Sequence, residues 1–120
     1  MRTTPIVFRI QEPPAKVEET RDYSSCRGYG EMVTLLSARD NPSVEPDLCY
    51  EFISERLDSC NVREGDFLLW AGGDPMSAFL AGQVLAELGV SGLKWLRWDR
   101  RTDANGTRTN HGYYTPVEIP

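Results

Sequence analysis

The chain is short of the residues that build metal cages and disulfide frameworks. It holds three cysteines, Cys26, Cys49 and Cys60, and one histidine, His111. An odd cysteine count at irregular spacing fits neither a set of disulfides nor zinc ligation, so small buried thiols are expected. Arg27 beside Cys26 offers the alternative of a thiol made reactive by a neighbouring charge. No apolar run approaches the roughly 20 residues that cross a bilayer. The opening MRTTPIVFRIQEPP lacks the apolar stretch of a secretory signal, which points to the cytosol. Basic excess is missing too: 18 acidic residues outweigh 13 basic ones, a net charge of −5. That argues against non-specific binding to nucleic acid, which needs a positive face. It leaves open a protein partner with a basic surface. Imitation of nucleic-acid charge also stays open, although the acidic residues are spread along the chain rather than massed.

What is present reads as one α/β domain over residues 1–120. Residues 1–28 form an irregular N-terminal segment with one strand, Thr4 to Ile10. Glu12 to Ser25 holds Pro13 and Pro14, shows no period, and reads as a surface connection. Tyr29 to Leu36 is a second strand and Ser37 to Pro46 a loop. From Asp47 to Asp58, Leu48, Cys49, Phe52, Ile53 and Leu57 recur at helical spacing, the mark of an amphipathic helix. Asp66 to Ala71 (DFLLWA) is an apolar strand of the kind covered on both faces. Asp74 then caps a helix with Pro75 as its first residue, and Gly89 stops it. That helix is apolar nearly all round, with Ser77, Gln83 and Glu87 as an outward stripe. Gly82 in its middle implies close packing on the sheet. Leu93 to Asp99 is a strand with Trp95 and Trp98 on opposite faces. Arg100 to Gly112 is a polar loop whose tip is marked by Asp103, Asn105 and Gly106. Asn105 to Thr107 also matches a glycosylation acceptor, which without a secretory signal is only a turn. Tyr113 to Ile119 closes the chain as an edge strand, because Pro116 cannot donate to a ladder. The order implies a small Rossmann-like sheet, mostly parallel, with a C-terminal antiparallel hairpin and two main helices.

Such sheets bind ligands beyond the carboxyl ends of their strands. The connections gathered there carry Arg39, Gly72, Gly73, Asp74, Trp98, Asp99, Arg100, Arg101, Arg108, His111 and, on the last strand, Tyr114. Between Arg97 and Arg108 four arginines stand against two aspartates. The break at Gly72-Gly73 has the outline of a phosphate-binding turn, but it lacks the lysine and hydroxyl of a P-loop and the spacing of a dinucleotide fingerprint. Asp74 competes for the same N–H groups, so a tight capped turn is the expectation. Asp74 with Asp99 offers a weak metal or acid–base pair, and His111 a lone titratable group. No nucleophile elbow or thiol–base pair occurs, and no cofactor is indicated. If two helices leave one face of the sheet bare, Trp70, Trp95, Trp98, Tyr113 and Tyr114 include an exposed patch; otherwise they are core.

The stretches DFLLWAGGDP, LKWLRWDRR and GYYTPVEI, with YGEMVTLL before them, resemble a group of short proteins encoded by tailed bacteriophages. The likeness spans roughly residues 22–119. It implies a phage origin and assigns no catalytic residues. Three readings follow. The first is a non-enzymatic phage protein in the bacterial cytosol that binds and inhibits a host or defence protein through Arg39, Arg100, Arg101, Arg108, Trp98 and Tyr114. The second is a binder of small molecules or nucleotides using Gly72, Gly73 and the same arginines. The third is a replication accessory or virion component. Oligomeric state is not written in the residues.

Overall fold

The computed structural model describes residues 2–102 and 104–120, with side chains described at all of these except 101, 102 and 108–111. Its elements are β1 (Ile6–Gln11), α1 (Ala15–Thr20), a 3₁₀ turn (Ser24–Gly28), β2 (Glu31–Leu36), α2 (Pro46–Ser59), β3 (Phe67–Leu69), α3 (Met76–Leu88), β4 (Lys94–Thr102) and β5 (Arg108–Glu118). The five strands form one sheet in the order β2-β1-β3-β4-β5. All pairings are parallel except β4 with β5. The α/β architecture expected from the sequence is therefore present: a mostly parallel core, a C-terminal antiparallel hairpin and two main helices.

β1 lies between β2 and β3 and is buried along its whole length. Ile6, Phe8 and Ile10 point to the face carrying α2 and α3, where they meet Ile53, Leu57, Leu80 and Val84. Each such side chain contributes roughly 1.5–3 kcal/mol by leaving water. Val7 points the other way and packs with Leu69, Leu96 and Tyr114. Alternation along β4 sorts the tryptophans as expected, Trp95 against the helix-side core and Trp98 against the opposite cluster.

The opposite face is not bare. The Glu12–Ser25 stretch, expected to be a surface connection, forms α1 and then leads into a strap, residues 21–30, that crosses this face. Cys26, within the strap, is buried against the sheet. Tyr23 stacks parallel on Tyr114, ring centroids 6.1 Å apart, and Tyr29 tilts onto Phe67 at 5.1 Å. α1 buries none of its residues, so it carries no apolar period from which a helix could be read. Five of the aromatic rings thus lie in one covered cluster. Trp70 and Tyr113 stay 36% and 39% exposed.

Other expectations need correction. Gly82 touches nothing: a Cβ built there meets no atom within 4 Å. Ser77, expected to face outward, is fully buried, and its hydroxyl donates to the Asp74 carbonyl at 2.7 Å. On α2 only Cys49, Ile53 and Leu57 are buried, while Leu48 and Phe52 remain 42% and 38% exposed. The polar run from Arg100 to Gly112 is mostly strand, because β4 continues to Thr102 and β5 begins at Arg108. Gly106 takes a left-handed φ of 79° in the turn between them. Asp103 lies outside the described residues.

Candidate functional site

Strand order reverses beside β1, so the crevice between the carboxyl ends of β1 and β3 is where a sheet of this kind takes a ligand. Here the protein fills that crevice itself. Gln11, at the end of β1, is 2% exposed. Its amide donates to the carbonyls of Ser37 (3.1 Å) and Asp40 (2.8 Å), and its Oε1 accepts the Asp74 N–H at 3.1 Å. Asp74 Oδ1 accepts the Met76 N–H at 3.0 Å and Oδ2 the Ser43 N–H at 3.1 Å. Pro75 already has helical angles (φ −56°, ψ −24°), so Asp74 caps α3 as expected. Hydrogen bonds from Ser43, then from Met76, hold its carboxyl below the usual range.

The two glycines are needed for contact within the protein. Gly72 and Gly73 have φ of 147° and 91°. A Cβ at Gly72 would stand 2.9 Å from Pro13 Cβ, and one at Gly73 would stand 2.6 Å from Gln11 Oε1. The N–H groups of Asp74, Met76 and Ser77 are spent within the protein, and Pro13 and Gln11 crowd the two glycines. Outside this plug a shallow cleft of about 460 Å³ brings Arg39 together with Gly73 and Asp74. Glu12 and Asp40 line it too, so carboxylates outnumber the guanidinium there.

Trp98 belongs to the strap side. The Arg21 guanidinium lies 5.1 Å above its ring centroid, and Tyr114 tilts against it at 4.9 Å. Such a cation–ring contact adds roughly 0.5–2 kcal/mol. Arg21 also donates to the Ala71 carbonyl at 3.2 Å. Tyr114, expected among the contact residues, is 2% exposed and sits in the core. Burial pushes its hydroxyl, and that of Tyr23 (up to about 12), above the ordinary tyrosine value. Burial, with Asp22 adding to it, likewise raises the Cys26 thiol to about 11. Arg27 does not activate it.

Beyond Trp98 the sheet narrows to two strands. β3 pairs with β4 only at Lys94 and Trp95, whereas β4 and β5 stay paired out to Thr102 and Arg108. From Trp98 to Thr102 the hairpin extends by about 13 Å at strand rise. Arg97 and Arg100 are exposed on it. Asp99 accepts from Thr115 Oγ1 at 2.7 Å and from Arg97 at 3.0 Å, and these bonds, Thr115 first, hold its carboxyl low. Asp74 and Asp99 therefore have separate sets of partners and do not form a pair. Arg101, Arg108 and His111 have their backbones in these strands; their side chains lie outside the described ones. Thus Arg97, Trp98, Asp99 and Arg100 share one arm with the backbone of Arg101, Arg108 and His111, while Arg39, Gly73 and Asp74 share the cleft.

Two partly buried ion pairs escaped the sequence reading. Arg2 donates to Asp66 through both terminal nitrogens, at 2.5 and 2.7 Å. Arg9 donates to both carboxylate oxygens of Glu18 through one terminal nitrogen, Nη1, at 2.9 and 2.6 Å, with Tyr23 facing its guanidinium. Arg9 inside an apolar strand was the visible signal for the second, because a buried guanidinium requires a carboxylate.

A family model described as Phage Pam3 gp32-like protein matches residues 5–117. The chain belongs to that family, and the likeness to short phage proteins is thereby upheld. No curated protein matches, and no solved structure matches.

Proposed function

Starting from a member of this phage family, we propose a non-enzymatic binding protein whose β4–β5 arm engages an acidic surface of a host or defence protein in the bacterial cytosol. The observation that carries this is the separation of charge. Four arginines and two aspartates fall between residues 97 and 108; the rest of the chain has nine basic against sixteen acidic residues. A basic arm on an acidic body steers toward an acidic partner and resists a basic one. Arginine is also among the residue types that dominate interface energies. Arg97 and Arg100 are exposed on a projecting element, where they reach a partner without disturbing the core. The body's negative charge weighs against a nucleic-acid partner. No helix among the described residues is long and apolar enough to cross a membrane.

The nucleotide-binding alternative draws no support from the Gly72-Gly73 turn, which Pro13 and Gln11 crowd. Tagged capture from bacterial lysate, with mass spectrometric readout, tests the binding proposal. One stoichiometric protein released by moderate salt is expected. Recovery of the bare protein alone, with thermal stabilisation by a nucleotide, would overturn it.

A further inference from the structure

The two edges of the sheet are treated differently. On β5 the outward groups of Tyr114 are spent: its N–H donates to Ser25 Oγ at 2.9 Å and its carbonyl accepts from Tyr29 Oη at 3.2 Å. Pro116, two residues on, has no N–H to offer. This is how an edge is closed against further strands.

β2 has no such guard. The Glu12 N–H bonds to the Leu36 carbonyl at 2.9 Å. In a parallel ladder that sets the phase: Leu36, Thr34 and Met32 turn their peptide groups to β1, and Glu31, Val33 and Leu35 turn theirs outward. Among the described residues the outward groups of Val33 and Leu35 have no hydrogen-bond partner. A groove of about 440 Å³ runs beside this edge, walled by Leu35 and by Phe52, Glu55 and Arg56 of α2. Phe52 is 38% exposed. Arg56 is turned onto the Thr34 carbonyl at 3.4 Å. α2 carries Asp47, Glu51, Glu55 and Asp58 against that single arginine, and Glu31 begins the strand.

We propose that β2 accepts an extended, basic segment of a partner protein as a sixth strand. Its backbone bonds to Val33 and Leu35, an apolar side chain rests on Phe52, and lysine or arginine side chains face Glu55 and Glu31. Strand addition of this kind takes affinity from the main chain and specificity from alternate side chains. A symmetric pairing of two copies through β2 is disfavoured, because the antiparallel two-fold would bring Glu31 of each copy toward the Glu55 end of the other. The inference concerns the edge opposite the arm and stands independently of the arm's role.

The probe is a blocked heptapeptide alternating lysine and valine, followed by amide hydrogen exchange. At ten times its Kd the peptide should slow exchange of the Val33 and Leu35 amides about tenfold and leave the Tyr114 amide unchanged. A version N-methylated at alternate residues should not bind, which tests main-chain pairing without altering the protein. Val33→Pro, which removes an outward N–H without breaking a bond to β1 and trims a partly buried side chain, should abolish binding while the circular dichroism spectrum persists. The proposal fails if Val33 and Leu35 gain no protection at millimolar peptide. It fails equally if a glutamate–valine peptide binds as well, if protection falls on the hairpin arm, or if the protein alone protects these amides as its concentration rises.

Discussion

Replacing Asp66 by asparagine should be among the most damaging conservative changes in the molecule, and pH should reproduce its effect. Asp66 is fully buried at the start of β3. Its Oδ1 accepts from Arg2 and from the Ile6 N–H (3.0 Å), and its Oδ2 accepts from Arg2 and from the Arg63 N–H (2.9 Å). Burial works to raise its pKa, but the Arg2 hydrogen bonds and the two amides outweigh it, so the carboxyl titrates below its ordinary value. An asparagine amide accepts at one terminal atom only, so Asp66→Asn leaves two donors facing an NH₂ group. At roughly 1–3 kcal/mol for each orphaned buried donor, the loss is about 4 kcal/mol. For a domain of this size that lowers Tm by roughly 15 °C. The sign with pH follows from the depressed folded-state pKa. The carboxylate's contribution is complete above the unfolded value of about 3.9 and disappears as pH falls through the folded value. Urea denaturation of both proteins between pH 7 and pH 2 should therefore show a wide gap at neutral pH that narrows below about pH 4. A gap under about 1 kcal/mol at neutral pH, or one that stays constant into acid, would refute the reasoning built on these four bonds.

Two other predictions concern the glycines and Cys26. Gly82→Ala should stabilise the protein by about 1 kcal/mol, since the site is helical and open, whereas Gly73→Ala should destabilise it by roughly 1–3 kcal/mol through its left-handed φ and the clash with Gln11; thermal melts read both, and equal effects would contradict the packing described. Cys26, with its thiol raised to about 11 by burial, should resist a thiol-specific reagent at neutral pH in the native protein and react in denaturant, and rapid native labelling at Cys26 would contradict its burial against the sheet.

The parts of the fold visible in the sequence were those written locally. Phe67 to Ala71 is an unbroken apolar run, and Asp74-Pro75 at one end with Gly89 at the other encloses α3. α2 showed its stripe, but periodicity alone does not separate the buried Ile53 from the half-exposed Phe52, which lie one position apart. The strap was hidden because the contacts that hold it on the sheet are long-range: Ser25 and Tyr29 act on Tyr114, Arg21 on Trp98. Gln11 read as the polar end of a strand, and only the folded chain shows that its amide fills the crevice. The arm read as loop because its aspartate, asparagine and glycine residues are depleted in strands and outweigh the threonines, and its pairing is imposed by the turn at Gly106 and by β4 itself. Arg100 is exposed on the arm. Tyr114 is buried in the core, and Trp98 is tied to Arg21 and Tyr114, so Trp98→Ala would confuse loss of binding with loss of packing.

The central claim is that the arm is the binding element, and paired capture from bacterial lysate by the wild-type protein and by Arg100→Glu tests it most directly. Arg100 is exposed on the arm, so the variant should fold and melt as the wild type does. Loss of a stoichiometric partner from the variant, with the melt unchanged, is the predicted result. Equal recovery of that partner by both proteins would contradict the claim and move the binding surface elsewhere on the molecule.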